Sequence, residues 1–154
     1  WSYGAGSMLP AAAGQRMFIA YAPVQTDKTK ESVVEVQREL REVLKDRTLT
    51  ADELANAKTL LAQSLPGRWE TANQVSNALV EMVQYHLPTD YWDTYAGRVR
   101  ALSLNDANAA AVNVVRPDNL VWVIVGDRSK IEKGIRELNL GPVQFIDADG
   151  NPLQ

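Results

Sequence analysis

The first 24 residues combine apolar positions with small residues in the pattern of two β-strands. The first predicted strand covers residues 1–9, where the aromatic Trp1 and Tyr3 precede a run of small side chains. The second covers residues 15–24 and carries apolar groups on both faces, which is typical of a strand near the centre of a sheet. The short connector 10–14 predicts an antiparallel hairpin. Because Trp1 already lies inside a strand, we expect the chain to be part of a longer protein, truncated at this strand.

From residue 26 the apolar period lengthens to that of an α-helix, and five helices are predicted before a turn at 116–119. Thr26 or Asp27 is expected to cap the first helix, and Thr50 and Glu53 form a capping box for the second. The first three predicted helices, each with its expected buried residues in parentheses, are 26–46 (Val33, Val36, Leu40, Val43, Leu44), 50–65 (Leu54, Ala57, Leu61, Leu65) and 70–85 (Val75, Leu79, Met82, Val83). Pro66-Gly67 is expected to break the helical structure between the second and the third. The fourth is a short helix opened by Thr89 and Asp90 (Trp92, Tyr95, Val99), and the fifth covers 107–115 after a capping motif at 103–106.

The unbroken apolar run 120–126 is the strongest strand signal and predicts a fully buried strand. Ser129 is expected to cap a last helix, followed by a short strand at 143–146 and a turn at 147–152. Strands and helices are segregated along the chain, which predicts an α+β fold: a two-layer sandwich with helices packed on one face of a mixed, mainly antiparallel sheet. Residues 1–154 are predicted to form a single domain.

Composition narrows the classes of function. Hydrophobic residues make up 45% of the 154 residues and charged residues 23%, as in ordinary globular domains. The net charge of −3 gives no basic footprint for nucleic acid. No apolar run approaches the roughly 18 residues of a membrane-spanning helix. Cysteine is absent, which excludes disulfides, thiolate chemistry and cysteine-ligated zinc within these residues.

The single histidine, His86, has no partner histidine and no suitably spaced glutamate for a zinc-peptidase helix. Its position before Leu87-Pro88 favours a helix end, where histidine contacts the last carbonyls. A serine triad with Ser64, Ser76 or Ser103 would lack the Gly-x-Ser-x-Gly elbow.

Two further motifs are incomplete. Gly4-Ala-Gly6 lacks the third glycine and the following helix of a dinucleotide fingerprint. Asp147 and Asp149 precede Gly150 as in a calcium loop, but no downstream glutamate follows, so a turn is favoured. Composition and spacing alone therefore give no self-sufficient catalytic site and no metal ligands in this chain.

The order and spacing of several short motifs resemble the pitrilysin/insulinase family of zinc metallopeptidases, which includes the mitochondrial processing peptidases. The resemblance covers nearly the whole chain. The motifs are Trp1-Ser-Tyr-Gly-Ala-Gly-Ser7, Phe18-Ile-Ala-Tyr-Ala22, Asp27-Lys-Thr29, Thr50-Ala-Asp-Glu-Leu54 with Ala57-Lys58 and Leu65, Glu70-Thr71, Leu87-Pro-Thr-Asp-Tyr91 with Tyr95, Arg116-Pro-Asp-Asn-Leu120, Val123-Ile-Val-Gly-Asp127 and Asp147-Ala-Asp-Gly-Asn-Pro-Leu153.

The resemblance implies a specific role. Family members close two homologous halves around a peptide, and the half carrying the His-x-x-Glu-His motif binds zinc. This chain resembles the C-terminal half, which has lost that motif. The implied partners are the N-terminal catalytic domain, in the same chain or in another subunit, and a peptide substrate, with neither nucleic acid nor membrane. Zinc is implied for the full-length enzyme and no cofactor for this chain.

One substrate-binding residue follows from the resemblance. In the family, an arginine and, seven positions later, a tyrosine reach across to the substrate from this half. Tyr3 matches the tyrosine, whereas the arginine would precede residue 1. A phenol there can donate a hydrogen bond to a scissile carbonyl as its oxygen gains negative charge. The competing interpretation of Tyr3 is an aromatic residue packed in a strand.

Two other functions stay open. The chain can belong to a scaffold or partner subunit of a processing-peptidase-like complex that never cleaves. It can also be an unrelated α/β ligand-binding domain. The resemblance to short bacterial family members implies a periplasmic or cell-envelope location, with the cytoplasm as the alternative.

Overall fold

The computed structural model describes residues 1–153 and shows a helix-rich α+β protein. Six α-helices and a two-stranded antiparallel sheet are found in this described part. The α+β fold class is therefore confirmed. In chain order the elements are β1 Gly6–Met8, β2 Ile19–Tyr21, a 3-10 turn Thr26–Lys28, α1 Thr29–Glu42, α2 Ala51–Gln63, a 3-10 turn Pro66–Arg68, α3 Ala72–Gln84, α4 Tyr91–Ala101, α5 Leu104–Val114 and α6 Arg128–Glu137.

The predicted N-terminal hairpin is present, because β1 and β2 pair with each other. Both strands are much shorter than the predicted spans 1–9 and 15–24, since the strand pairing covers only residues 6–8 and 19–21. An isolated antiparallel bridge between Ser2 and Val24 continues the pairing toward the N-terminus. Gly6 makes room for the ring of Tyr21, because a Cβ on Gly6 would lie 2.8 Å from the Tyr21 hydroxyl oxygen.

Side chains that accept hydrogen bonds from the first turn define where the middle helices begin. At α2 the predicted capping box is confirmed: the Thr50 amide donates to the Glu53 carboxylate at 2.9 Å, and the Glu53 amide donates to the Thr50 hydroxyl. Ser103 and Asp106 form the same reciprocal pair at α5. The predicted break at Pro66-Gly67 is also confirmed, since a 3-10 turn follows the end of α2 there.

Two predicted caps are wrong. Thr26 and Asp27 lie inside the 3-10 turn before α1, and the residue preceding that turn, Gln25, makes no side-chain cap. The N-cap of α6 is Asp127, whose carboxylate accepts hydrogen bonds from the amide (3.1 Å) and the hydroxyl (2.7 Å) of Ser129. A carboxylate at this position is also stabilised by the positive end of the helix dipole.

The buried face of α3 also differs from the prediction. Ala78, which is 2% exposed, lies at its centre, whereas the predicted core residues Leu79 and Val83 are largely exposed. Together with Ser76 and Val80 they line a shallow concavity of about 330 Å³. An amphipathic period identifies that a helix has an apolar face, but not which part of that face meets a neighbour.

The chain separates into two compact units. The first contains Trp1–Gly6, Ala20–Arg38 and the chain from Val121 onward, and the second contains Ser7–Ile19 and Glu39–Leu120. In the first unit Lys30 forms an ion pair with Glu137 of α6 at 2.7 Å. In the second unit α2 packs against α4 and α5, with Val99 and Val115 among its buried residues.

The predicted strands after residue 119 are wrong. Residues 120–126 form no strand, and Val121, Val123 and Val125 are 90%, 74% and 94% exposed. No strand of the described chain pairs with this segment, and an apolar run cannot build a sheet alone, because every ladder hydrogen bond needs a second backbone. Residues 143–146 likewise form only an isolated bridge, from Ile146 to Pro152.

Both predicted turns are confirmed. At 116–119 the Asn119 amide donates to the Arg116 carbonyl at 3.0 Å. At 147–152 the Asp147 carboxylate accepts hydrogen bonds from the amides of Asp149 and Asn151, at 2.9 and 2.8 Å. Each turn is stabilised by groups close in sequence, which is why residue type alone predicted it.

Candidate functional site

Tyr3, the predicted substrate-binding residue, lies on the antiparallel pairing of residues 1–3 with 23–25. Its amide donates to the Pro23 carbonyl at 3.3 Å, and the Gln25 amide donates to the Trp1 carbonyl at 3.0 Å. The Ser2 hydroxyl also donates to the Pro23 carbonyl, at 2.9 Å. These hydrogen bonds tie the backbone around Tyr3 to the start of the following segment.

Gly4 gives the backbone next to Tyr3 a conformation that other residues rarely adopt. Its φ angle is 130°, and its amide donates to the Ser2 hydroxyl at 3.1 Å. L-residues with a side chain are strained in this region, at a cost of about 1–3 kcal/mol. The glycine is therefore part of what determines the direction of the chain after Tyr3.

The side chain of Tyr3 is 94% exposed. That exposure contradicts the interpretation of Tyr3 as a packed strand aromatic, since burial of a tyrosine ring is what would stabilise such a residue. The phenol can therefore donate a hydrogen bond to a ligand without first leaving a protein contact. The nearby Trp1 is also largely exposed, at 60%.

A second group of residues, not identified from the sequence as a site, lies around α4. Trp69, Tyr91, Trp92 and Tyr95 form an aromatic cluster with ring centroids 4.9–6.3 Å apart. The sequence predicted Trp92 and Tyr95 only as the buried face of a helix. The sequence signal that could have revealed this cluster is the spacing of Tyr91, Trp92 and Tyr95 at i, i+1 and i+4, together with Trp69 before α3.

Two guanidinium groups stack on this aromatic cluster. The Arg68 guanidinium lies 4.3 Å from the Trp92 ring centroid, and that of Arg98 lies 4.6 Å from the Tyr91 centroid. Both distances are within the range of cation–π attraction. Arg68 also pairs with Glu81 at 2.9 Å. The Trp92 indole nitrogen is buried and makes no hydrogen bond to the described residues.

His86, considered above as a metal ligand, ends α3. Its φ angle is 51°, its amide donates to the Val83 carbonyl, and the Leu87 amide donates to the Met82 carbonyl at 2.9 Å. These two hydrogen bonds define a Schellman motif, in which the residue in the left-handed conformation is usually glycine. His86 therefore has a structural role that helix periodicity did not reveal.

Carboxylates with a displaced pKa lie at helix starts, turns and ion pairs rather than around Tyr3. The Arg128 guanidinium, followed by that of Arg136, holds the pKa of Glu132 below its usual range. Hydrogen bonds from neighbouring side chains and amides lower the pKa of the others in the same direction, namely Glu53, Asp106, Asp127, Glu137 and Asp147.

Within residues 1–153, no cluster of three or more histidine, cysteine or acidic side chains has the geometry to hold a metal ion. Over the same residues, no helix combines the length and the apolarity needed to cross a bilayer.

Comparison with models of known protein families found no family that matches this chain. A search of curated proteins found no significant match either.

Proposed function

We propose that this chain is the non-catalytic C-terminal half of a zinc-dependent metalloendopeptidase of the pitrilysin/insulinase type, and that it forms half of the peptide-binding chamber. The observation that carries the proposal is the phenol of Tyr3. It is 94% exposed on a backbone held by the pairing of residues 1–3 with 23–25. The resemblance in the order of motifs along nearly the whole chain supports the family and the role proposed for this residue.

In this proposal the zinc ion is held by the other half of the enzyme and supplies the Lewis acid that activates water for peptide hydrolysis. In the same proposal, all of the zinc ligands belong to that other half and none to this chain. Tyr3 donates a hydrogen bond to the oxygen of the scissile carbonyl, and that bond strengthens as negative charge develops. The rest of the chain positions the peptide across the chamber.

The proposed architecture goes further than the α+β class. Helices pack on one face of a mixed, mainly antiparallel sheet, so that the other face lines the chamber. The antiparallel β1–β2 pair and its continuation at Ser2 and Val24 are the part of the described chain that supports such a sheet. A bacterial periplasmic or envelope location is proposed on the family resemblance alone.

The proposal is tested by Tyr3→Phe in the intact enzyme that combines this chain with its zinc-binding half. Loss of one hydrogen-bond donor to a developing oxyanion typically lowers kcat about 100-fold or more, and we expect a fall of that order. Tyr21→Phe, which removes a phenol from the same hairpin, is the matched control and should leave kcat unchanged. A Tyr3→Phe enzyme with normal kcat and normal peptide affinity would refute the role of Tyr3.

Two further measurements separate the alternatives. Stoichiometric zinc at a defined site of the purified 154-residue chain would contradict the non-catalytic assignment. Peptide binding by a complex whose other half carries no His-x-x-Glu-His motif would instead identify the scaffold subunit.

A further inference from the structure

One face of α4 forms a shallow concavity with both polar and apolar walls. It is lined by Tyr91, Tyr95, Arg98, Val99 and Leu102, and its volume is about 250 Å³. We call it the α4 concavity. These residues recur at the three- and four-residue spacing of one helical face, so they converge without help from another element. The volume is below the roughly 300–1,000 Å³ of sites for drug-sized ligands, so it suits one side chain and a small head group.

The charged wall of the α4 concavity is Arg98. No carboxylate of the described chain lies within ion-pairing distance of it, whereas Arg68 pairs with Glu81. The Arg98 guanidinium stacks on the ring of Tyr91, 4.6 Å from its centroid. A stacked guanidinium uses its face, and its N–H donors in the plane stay available for a carboxylate.

Arg98 lies near the C-terminus of α4, but hydrogen bonding to the end of this helix does not account for it as well as ligand binding does. Cations in a last helical turn commonly serve the terminal carbonyls. At this helix end, however, the Lys58 ammonium already donates to the Arg100 carbonyl, at 2.9 Å. The Leu102 amide donates to the Val99 carbonyl. Arg98 is exposed, lines the α4 concavity and makes no hydrogen bond to any acceptor in residues 1–153.

The apolar wall lies beside this cation. Val99 is buried at 7% exposure and forms the floor, while Leu102 is 44% exposed and leaves apolar surface uncovered. The two tyrosines add rings that are partly exposed and hydroxyls that donate or accept hydrogen bonds. A ligand that complements these groups carries an anionic, planar head group attached directly to an apolar side chain.

We propose that the α4 concavity binds the terminal carboxylate of a peptide whose last residue is apolar. The carboxylate pairs with Arg98 through charge-assisted hydrogen bonds, and the last side chain covers Val99 and Leu102. The identification of the ligand as a peptide rests on the proposed function, whereas the preference for a carboxylate on an apolar body rests on the concavity itself. The site gives the protein a means to recognise the end of a peptide in addition to its scissile bond.

The test uses fluorescence anisotropy with the full 154-residue chain and two labelled peptides of one sequence that ends in leucine. One peptide is a free acid and the other a C-terminal amide. We expect the amide to bind about tenfold more weakly, because it loses the charge that pairs with Arg98. Added salt should reduce this preference, since the pair is exposed to solvent.

Arg98→Gln should abolish the preference for the acid. Arg100→Gln is the matched control, because Arg100 lies in the same last turn but outside the concavity, and it should retain the preference. Far-UV circular dichroism of both variants checks that the helices are intact. Equal binding of acid and amide, no binding of either, or an unchanged preference in Arg98→Gln would overturn the proposal.

Unlabelled N-acetyl-leucine separates a peptide end from a free apolar acid. We expect it to displace the labelled peptide only at much higher concentration, and displacement at equal concentration would overturn the assignment to a peptide. Failure of this proposal is distinguishable from failure of the proposed function. The acid preference can vanish while Tyr3→Phe still lowers turnover, and a silent Tyr3→Phe leaves the acid preference intact.

Discussion

The α2–α4–α5 region and the segment 120–126 are both rich in apolar residues, yet the structure treats them differently. In the helical region Val99 and Val115 are buried, and hydrogen bonds join its parts: the Leu49 amide donates to the Asn108 side chain at 3.1 Å. In the segment 120–126 three valines are exposed and no ladder forms. A helix forms its backbone hydrogen bonds internally and then needs only side-chain contacts to pack. An extended segment needs a second backbone for its hydrogen bonds.

The largest difference in stability is expected when a charge is placed in each of these two regions in turn. Val115→Asp puts a carboxylate at a position 8% exposed, and we expect it to lower the free energy of unfolding by about 3–5 kcal/mol. Val123→Asp, at 74% exposure, should change it by at most about 0.5 kcal/mol. Urea denaturation monitored by circular dichroism measures both. A large loss in Val123→Asp would mean that the segment 120–126 is buried in solution and would remove the contrast.

The same contrast explains how much of the fold the sequence predicted. All six helices were predicted, and the capping box at Thr50 and Glu53 was identified from residue type, because its partners are three positions apart. Helix ends were off by a few residues: α1 ends at Glu42, not at the predicted residue 46. Strand predictions failed at 120–126 because the feature that decides a strand is a partner distant in sequence.

The candidate site divides in a similar way. Tyr3 was chosen by family resemblance, and its exposure could not be derived from an apolar strand pattern, which predicted packing equally well. The α4 concavity was missed because periodicity assigns Tyr95 and Val99 to a buried face. Periodicity also does not reveal that Arg98 has no anionic partner among residues 1–153. Whether a charged side chain is paired depends on its neighbours in space and not on the spacing of residues along the sequence.

A smaller change in the free energy of unfolding is expected at a helix end, where the conformation is determined by local hydrogen bonds. His86 has a φ angle of 51° at the C-terminus of α3, where glycine is least strained. We expect His86→Gly to raise the free energy of unfolding by about 0.5–1 kcal/mol, measured by urea denaturation. Asn139→Gly at the end of α6, with a φ angle of 52°, should gain less, because asparagine tolerates this conformation better than histidine.

A destabilised His86→Gly variant would show that the imidazole itself makes a contribution greater than the backbone strain. In that case the end of α3 would depend on a side-chain contact, just as a strand at 120–126 would need a pairing partner. A gain would instead confirm that helix ends are determined locally.

The smallest effect concerns a segment outside the helices that the sequence did predict, the turn at Asp147. Amide hydrogen bonds from Asn151, followed by its side chain, hold the pKa of Asp147 below the usual aspartate range. Since the folded-state pKa is depressed, the ionised carboxylate stabilises the turn above the unfolded-state pKa of about 3.9. That contribution is lost as the pH falls through the lower folded-state value.

Nuclear magnetic resonance of the Asn151 amide across an acid titration measures this loss. We expect the amide shift to follow Asp147 with a midpoint below about 3.9, and Asp147→Asn should remove the transition. A midpoint at or above that value would mean that the carboxylate does not accept these hydrogen bonds in solution. The turn would then depend on contacts with residues distant in sequence, as a strand at 120–126 would. A depressed midpoint would show instead that extended segments are predictable from sequence wherever their hydrogen-bond partners lie a few residues away.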